Sequence, residues 1–417
     1  MPIELARQVA YGVPDLMHPV SILIVAHVCS MLGFSTFAAL LPQLRDEWSL
    51  TNAQAGLVGG MFFGGYIVSV SHWTALTDRG DGRKVYAAGT ALAAAASAGF
   101  GWLASGFGSA LLFQGLLGVG IAGTYMPGLR LLSDHVIGPK QSRSIAFYTA
   151  SFGVGTALSL ALAGAVAPRA GWKAAFLVSA VGPLIAGTLV IALLGPLQRP
   201  DGAARVTVFV PFASWRAVLR HRDVAGYIAG YAVHCLELFG SRSWMVAFLA
   251  YSAEFQAARL PWRAQTIAAV VNLMAVPASI AGNEVALRIG RRRWVLLAMA
   301  ASGASGILVG LSAQWHWAVV LTLLAAYAML VMAESATLTA GLVAASPPQL
   351  RGSAMGLYSL AGFGGGMLGP VIFGAALDAA GGAASTAAWV AAYAAIGCGC
   401  LAAPVVARWF AGRGTSG

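Results

Sequence analysis

Apolar runs of roughly 20 or more residues, separated by short polar turns, make up most of this chain. Hydrocarbon cannot hydrogen-bond to open backbone groups, so a run that crosses a bilayer must form a helix. Hydrophobic residues account for 59% of the 417 residues and charged residues for only 9%, too few to cover a soluble protein of this size. The sequence therefore predicts an all-α membrane protein.

Twelve of these runs are predicted as transmembrane helices. Their approximate spans are 19–42, 52–76, 84–106, 108–133, 143–167, 171–195, 224–250, 264–287, 292–312, 316–344, 352–379 and 383–409. The first run has spanning length and no small-residue cleavage pattern, so no cleavable signal peptide is expected. An even number of helices places both termini on the same side of the membrane.

The distribution of Lys and Arg predicts which side that is. With the N-terminus in the cytoplasm, nineteen of the 25 Lys and Arg residues lie in cytoplasmic segments, which satisfies the positive-inside rule. We therefore expect an integral protein of the bacterial inner (plasma) membrane with both termini cytoplasmic. The net charge of +11 is explained by topology and contact with membrane lipids, and no nucleic-acid partner is expected.

Two polar loops repeat half a chain apart, each at an offset of 208 residues. The matching positions are Gly82, Arg83 and Lys84 with Gly290, Arg291 and Arg292, and Pro139, Gln141 and Arg143 with Pro347, Gln349 and Arg351. The repeat predicts two six-helix halves, 1–195 and 224–417. The linker 196–223 has apolar and basic residues at helical spacing over 212–222, which predicts a helix on the inner membrane surface.

The loop after the second predicted helix resembles the signature of the major facilitator superfamily, Gly-x-x-x-Asp-Arg-x-Gly-Arg-Arg/Lys. Asp78, Arg79 and the Gly82-Arg83-Lys84 run match it, whereas Thr74 replaces the first glycine and one extra residue precedes Gly82. The resemblance covers essentially the whole chain and implies that family's fold, with alternating access by rocking of the two halves. The segment 125–130 and the glycine run 364–366 are loosely similar to the nitrate, nitrite and cyanate branch, although that branch's paired nitrate-binding arginines have no counterpart.

The resemblance also implies a cytoplasmic gate. In the family, the loop aspartate caps a neighbouring helix and pairs with basic residues in the outward-facing state. The gating residues that this implies are Asp78, Arg79, Arg83, Lys84, Arg143 and Arg351. The alternative is that the cluster only sets topology and binds lipid headgroups.

Ionisable side chains inside the spans are candidate proton carriers, because each costs at least roughly 2.5–3.5 kcal/mol at the bilayer centre. His234 and Glu237 are three residues apart and share a helix face. They are predicted to couple transport to protons, together with Glu334, and the alternative is a structural hydrogen-bonded pair. Convergence of these residues with His27 on a divalent metal is the less favoured alternative. No metal or cofactor is predicted.

Arg242 is the predicted centre of the substrate site, because a guanidinium can hold a carboxylate or another oxyanion with two hydrogen bonds. The alternatives are an ion pair with Glu237 or Glu334, or a position at the rim facing water. By resemblance, helices 1, 4, 7 and 10 line the central cavity. The further candidates for substrate contact are His27, Tyr66, Tyr125, Tyr231 and Trp244.

Together these features predict a secondary transporter and no enzyme, since the chain contains no nucleotide-binding loop and no nucleophile triad. Its expected partners are a small, anionic solute, protons and lipids, and a monomer is expected. One alternative is a proton-coupled exporter of a small amphipathic or cationic compound, with Glu237 and Glu334 as the counter-charge. The other is an assembly or sensor protein without a transport cycle.

Overall fold

The computed structural model describes residues 19–136, 140–196, 212–255 and 261–411. The long apolar runs of the described residues all fold into helices. The helices are α1 Pro19–Ser30, α2 Thr36–Glu47, α3 Asn52–Arg79, α4 Gly82–Leu103, α5 Phe107–His135, α6 Gln141–Leu193, α7 Phe212–Arg220, α8 Arg222–Ala253, α9 Ala264–Ile289, α10 Arg291–Leu311, α11 Trp317–Ala333, α12 Ser335–Ala345, α13 Arg351–Ala379 and α14 Thr386–Ala411. The prediction of an all-helical membrane fold is confirmed.

Within the described ranges, nine helical segments are long and apolar enough to cross a membrane. One of them runs over 143–193 and contains a break at Gly171, whose φ of 85° is non-helical. Besides the short α7, two described helices fall outside the nine: α4, which is rich in Ala and Gly, and α8, which carries Glu237 and Arg242. Counting α6 as two helices and adding α4 and α8 gives twelve, so the twelve-span count stays a prediction.

Two spans are interrupted at membrane depth. A 3₁₀ turn over Met31–Gly33 separates α1 from α2, and a turn at Glu334 separates α11 from α12. The carbonyl oxygen of Ala333, immediately before the second break, accepts a hydrogen bond of 3.0 Å from Trp294 Nε1. Irregular backbone inside a membrane persists where protein groups satisfy it, and the indole does so here.

Glycines bring the helices around the centre close together. A Cβ on Gly65 of α3 would collide with the carbonyl oxygen of Gly115 on α5. Likewise, a Cβ on Gly369 of α13 would collide with the carbonyl oxygen of Leu236 on α8. Small residues at helix crossings permit this backbone proximity, and the second contact fixes α8 beside α13.

A helix, α7, lies within the predicted linker. Val218 is 1% exposed and belongs to a buried cluster with Val224, Ile228 and Ala354. The apolar side of α7 therefore packs on α8 and α13. Its placement on the inner membrane surface stays a prediction. The remainder of the predicted linker, 197–211, lies outside the described residues.

Candidate functional site

A cavity with a volume of about 40 Å³ lies between the predicted halves. Its polar lining consists of Ser35, Gln114, Thr156, Arg242, Ser243 and Asn272, and its aromatic lining of Phe34, Phe37, Phe62, Phe63 and Phe239. A volume of this size holds a few water molecules. The combination of an apolar wall with a few convergent polar groups is typical of a ligand site. The volume of this cavity is smaller than that of a typical ligand pocket.

Arg242 supplies the positive charge of this cavity. Among the described residues it has no hydrogen bond and no ion pair, although it is partly buried. The acids predicted as alternative partners are engaged elsewhere: Glu334 with His234, and Glu237 with Ser302. The guanidinium therefore lines the cavity without a carboxylate to neutralise it.

Two amide side chains add acceptors to the same cavity. Oε1 of Gln114 and Oδ1 of Asn272 are buried and have no hydrogen-bond partner in the described part of the chain. The amide nitrogen of Asn272 donates to the carbonyl oxygen of Ala268 at 2.8 Å, which fixes the orientation of this amide and leaves its oxygen as a free acceptor. The cavity thus combines a cationic donor with unpaired acceptors.

The predicted proton carriers lie in the C-terminal half, but with a different pairing. His234 Nδ1 is 3.0 Å from Glu334 Oε1, and the two side chains are 1% and 0% exposed. In this conformation His234 is bonded to Glu334, and the predicted proton coupling by His234 and Glu237 stays a prediction. His234 and Glu237 share a face of α8, but the hydrogen bond of His234 is made to Glu334, at the break between α11 and α12.

Glu237 contacts a serine that can serve it in two protonation states. Ser302 Oγ is 2.8 Å from Glu237 Oε2 and 3.0 Å from the carbonyl oxygen of Met299. A hydroxyl has one hydrogen and can also accept. When Ser302 donates to Glu237, the acid can be a carboxylate; when it donates to Met299, a protonated Glu237 can donate to Ser302. The second carboxyl oxygens of Glu237 and Glu334 have no hydrogen-bond partner among the residues that the structure describes.

His27 forms a separate polar contact in the N-terminal half. Its Nδ1 is 2.7 Å from Ser151 Oγ, which itself donates to the carbonyl oxygen of Tyr148 at 2.6 Å. Nδ1 must therefore donate, and Nε2 is a buried acceptor without a partner in the described ranges. The ring stacks on Tyr148 at 4.6 Å and lies 5.3 Å from Tyr125. No group of three metal-ligating acids, histidines or cysteines occurs in the described ranges. His27 is bonded to Ser151 and does not converge with His234, Glu237 and Glu334 on a metal site.

Of the six predicted substrate contacts, Arg242 alone is part of the cavity lining. Tyr66 packs on Phe363 at 4.3 Å, Tyr231 stacks on Tyr358 at 3.8 Å, and Trp244 donates to the carbonyl oxygen of Pro370. In this conformation Tyr66, Tyr231, Trp244, Tyr125 and His27 pack against neighbouring groups outside the cavity lining, and their contact with substrate stays a prediction.

Sequence reasoning missed Gln114 and Asn272. It searched the spans for ionisable and aromatic side chains and passed over neutral amides. A lone amide inside an apolar run carries the same signal, since it too must find a partner in hydrocarbon.

The two halves touch at one end of the bundle. Gln265 on α9 donates to the carbonyl oxygen of Ala39 at 3.1 Å, and Arg263 donates to that of Gly164 at 3.1 Å. At the opposite end, a Cβ built on Gly352 or Gly356 of α13 would meet no atom within 4 Å. We call the first end, which also contains Asn52 and Asp378, the sealed end.

Of the predicted gating residues, Arg83 has partners within its own half. It donates to Asp81 at 2.7 Å and to the carbonyl oxygen of Leu194 at 2.8 Å. Asp81 caps α4 by accepting from the Arg83 backbone, and the Arg83 hydrogen bond lowers the pKa of the Asp81 carboxyl. The loop that is one residue longer than the family signature thus contains Asp81, the cap of α4.

The other gating predictions are not joined in this conformation. Lys84, Arg143 and Arg351 are exposed. Asp78 and Arg79 end α3, and their side chains lie outside the described part of the structure. Their gating role stays a prediction.

A bundle of apolar helices around a charged central cavity is typical of integral membrane transporters, a class without enzymatic activity. Residues 23–262 match the model of the Major Facilitator Superfamily, more than half of the chain. The chain belongs to the major facilitator superfamily, and that part of the sequence-based resemblance is confirmed.

Known transporters are similar to it at low identity. Protein spinster of Drosophila melanogaster is 22% identical over 214 residues, which cover 51% of this chain and 35% of that relative. The matched part therefore spans about a third of the relative's length. A bacterial homologue of the human lysosomal transporter Spinster, solved inward-facing and unoccupied, has 16% identity and a TM-score of 0.72, over 93% of each chain.

A POT family transporter in complex with 5-aminolevulinic acid has 12% identity and a TM-score of 0.75, over 95% of this chain and 96% of that one. At these identities the structures show the fold alone. These relatives are spinster and POT transporters, and the nitrate, nitrite and cyanate branch stays a resemblance of the sequence.

Proposed function

We propose that this protein is a proton-coupled secondary transporter of a small anionic solute. The observation that carries the proposal is Arg242, which lines the cavity between the halves with no acidic partner among the described residues. A buried charge without a partner is costly, so its retention in a membrane protein calls for a function. A carboxylate or other oxyanion entering the cavity would supply the missing partner.

The unpaired acceptors narrow the class of anion. Gln114 Oε1 and Asn272 Oδ1 need hydrogen-bond donors, and an anion alone has none. A small carboxylate that also carries an N–H or O–H group would satisfy both sides of the cavity. The structurally similar POT family transporter with bound 5-aminolevulinic acid supports this class, because an amino acid combines the two groups.

Proton coupling is assigned to Glu334, His234 and Glu237. All three are buried, and each acid has one oxygen without a hydrogen-bond partner among the described residues. Burying a carboxylate in this way is far costlier than burying a neutral acid, so proton binding and release would change the stability of this packing. We therefore propose that the proton load of the cluster selects between conformations of the C-terminal half.

The predicted orientation of the chain in the membrane indicates which side the sealed end faces. Residues 39–52 and 263–265 lie in outer segments if both termini are cytoplasmic, so the sealed end is periplasmic and the conformation is inward-facing. The proposed units are the halves 1–195 and 224–417, in a monomer of the inner membrane. Rocking of these halves about the cavity would expose Arg242 to each side in turn.

A second candidate function is export of a small amphipathic or cationic compound. The observation that favours it is the cavity wall of five phenylalanines, which suits an apolar ring. Glu237 and Glu334 would then provide the counter-charge.

A thermal-shift screen of the purified protein tests the proposal against this alternative. Acetate, lactate, glycine, phosphate, nitrate and tetraphenylphosphonium serve as probes at two pH values. A ligand at 100 times its dissociation constant stabilises by about 2.7 kcal/mol, which a melting curve resolves. We expect stabilisation by a carboxylate, stronger when it carries a donor group.

Arg242→Ala and Ser243→Ala form a matched pair, because both positions line the cavity. Loss of a charge-assisted contact costs about 1.5–3 kcal/mol, so Arg242→Ala should weaken carboxylate binding by roughly 10- to 150-fold. Ser243→Ala should change it by much less. Stabilisation by the lipophilic cation alone, or equal effects of the two variants, would overturn the anion proposal.

A further inference from the structure

The N-terminus of α3 is completed by a residue from the other half of the protein. A helix begins with backbone N–H groups that have no partner inside the helix. Thr51 and Gln54 form a capping box, in which the Thr51 hydroxyl accepts from the Gln54 backbone and the Gln54 amide accepts from the Thr51 backbone. The N–H groups of Asn52 and Ala53 remain, and the capping box does not reach them.

Asp378, at the end of α13, accepts both. Its Oδ1 is 3.1 Å from the Asn52 backbone nitrogen and 2.7 Å from Asn52 Nδ2, and its Oδ2 is 2.8 Å from the Ala53 backbone nitrogen. The positive end of the helix dipole also favours a carboxylate at this position. One side chain from α13 thus makes three hydrogen bonds to the start of α3.

α3 and α13 are in close contact from this point to the middle of both helices. A Cβ on Gly56 would collide with the carbonyl oxygen of Pro370, and one on Gly60 with that of Met367. Asp378 lies at the end of this contact that belongs to the sealed end. Separating the two helices there must therefore break the Asp378 contacts.

The chemistry of the contact suits repeated breaking. Asp378 is exposed, so water can replace each of its three partners when the helices part. A buried ion pair would leave two costly charges at the same step. The balance between closed and open states at this end can therefore be set by one carboxylate.

We propose that Asp378 is a gating residue, whose capping of α3 across the two halves holds the sealed end closed. The proposal extends the transport cycle proposed above and does not depend on which solute is carried. Asn52 acts as a positioning residue, because Arg45 donates to its side-chain oxygen at 3.0 Å and thereby turns its amide nitrogen toward Asp378. The sequence did not indicate this role for Asp378.

The test is the distance between the halves at the sealed end. It is measured by double electron–electron resonance on the full-length protein in lipid nanodiscs. Spin labels at Glu47→Cys and Ala384→Cys, both exposed, report one side each. Asp378→Ala should raise the ratio of open to closed molecules roughly five-fold, the factor for a typical lost helix cap. Asp378→Asn, which keeps one acceptor oxygen, should give a smaller increase.

Glu254→Gln is the control, because Glu254 is an exposed acid at the end of α8, on the same side of the bundle. It should leave the distances unchanged. If Asp378→Ala fails to fold, Asn52→Ala decides the question, since it removes one donor and leaves the carboxylate. Distances in the Asp378 and Asn52 variants that match those of Glu254→Gln would overturn the proposal. Reduced solute binding with unchanged distances would likewise count against it and implicate the cavity instead.

Discussion

Removing one or both partners of the His234–Glu334 pair should give a strongly non-additive loss of stability. The two atoms are 3.0 Å apart and the side chains are 1% and 0% exposed, so water cannot replace a lost partner. Glu334→Leu leaves the Nδ1 group of His234 buried without a partner, at a cost of about 1–3 kcal/mol. His234→Leu leaves both carboxyl oxygens of Glu334 unpaired, at a similar cost. Replacing both by leucine removes both unsatisfied groups and should cost less than the sum of the single changes by about 1–2 kcal/mol.

The free energy of unfolding of the four proteins can be measured by titration with a denaturing detergent in mixed micelles. Glu284→Leu is the control for loss of an acid, because Glu284 on α9 is exposed. It should change the free energy by no more than about 0.5 kcal/mol. If the double variant loses the full sum of the single losses, the two side chains are not coupled and the reasoning from burial is refuted.

Two further changes test other contacts. Asp81→Ala removes the cap of α4 and the partner of Arg83, and should lower stability by about 1 kcal/mol in the same titration. Since the folded-state pKa of Asp81 is lowered, its contribution should be complete above the unfolded-state pKa and disappear as pH falls through the folded-state pKa; a difference between wild type and variant that grows on acidification would contradict this. Gly65→Val should separate α3 from α5 and cost about 1–3 kcal/mol, whereas Gly364→Ala, with open space around it, should be tolerated; equal losses would show that helix proximity is not the cause.

The helical membrane fold could be predicted because hydrocarbon leaves a long apolar run few alternatives to a helix. Breaks inside the runs could not. The turn at Glu334 has neither proline nor glycine beside it in the sequence, and it depends on Trp294, which is 39 positions away in the chain and donates to Ala333. A tertiary contact of this kind has no local pattern.

The candidate site was predictable to the extent that charge in an apolar run is expensive. That argument selected Arg242, Glu237, His234 and Glu334, all of which lie at membrane depth in the bundle. It could not assign partners, because spacing along α8 favoured His234 with Glu237 while the break after α11 brings Glu334 to His234. The same argument could not separate the aromatic residues that line the cavity from those that pack elsewhere. Phe62 and Tyr66 lie one turn apart on α3, yet only Phe62 lines the cavity.

Uptake into proteoliposomes under an imposed pH gradient is the decisive test of proton-coupled anion transport. The substrate would be the radiolabelled carboxylate that stabilises the protein best in the thermal-shift screen. We expect accumulation above the external concentration that follows the gradient, disappears with a protonophore, and falls at least roughly ten-fold in Arg242→Ala. Accumulation that is independent of the gradient, or uptake that Arg242→Ala leaves intact, would contradict it.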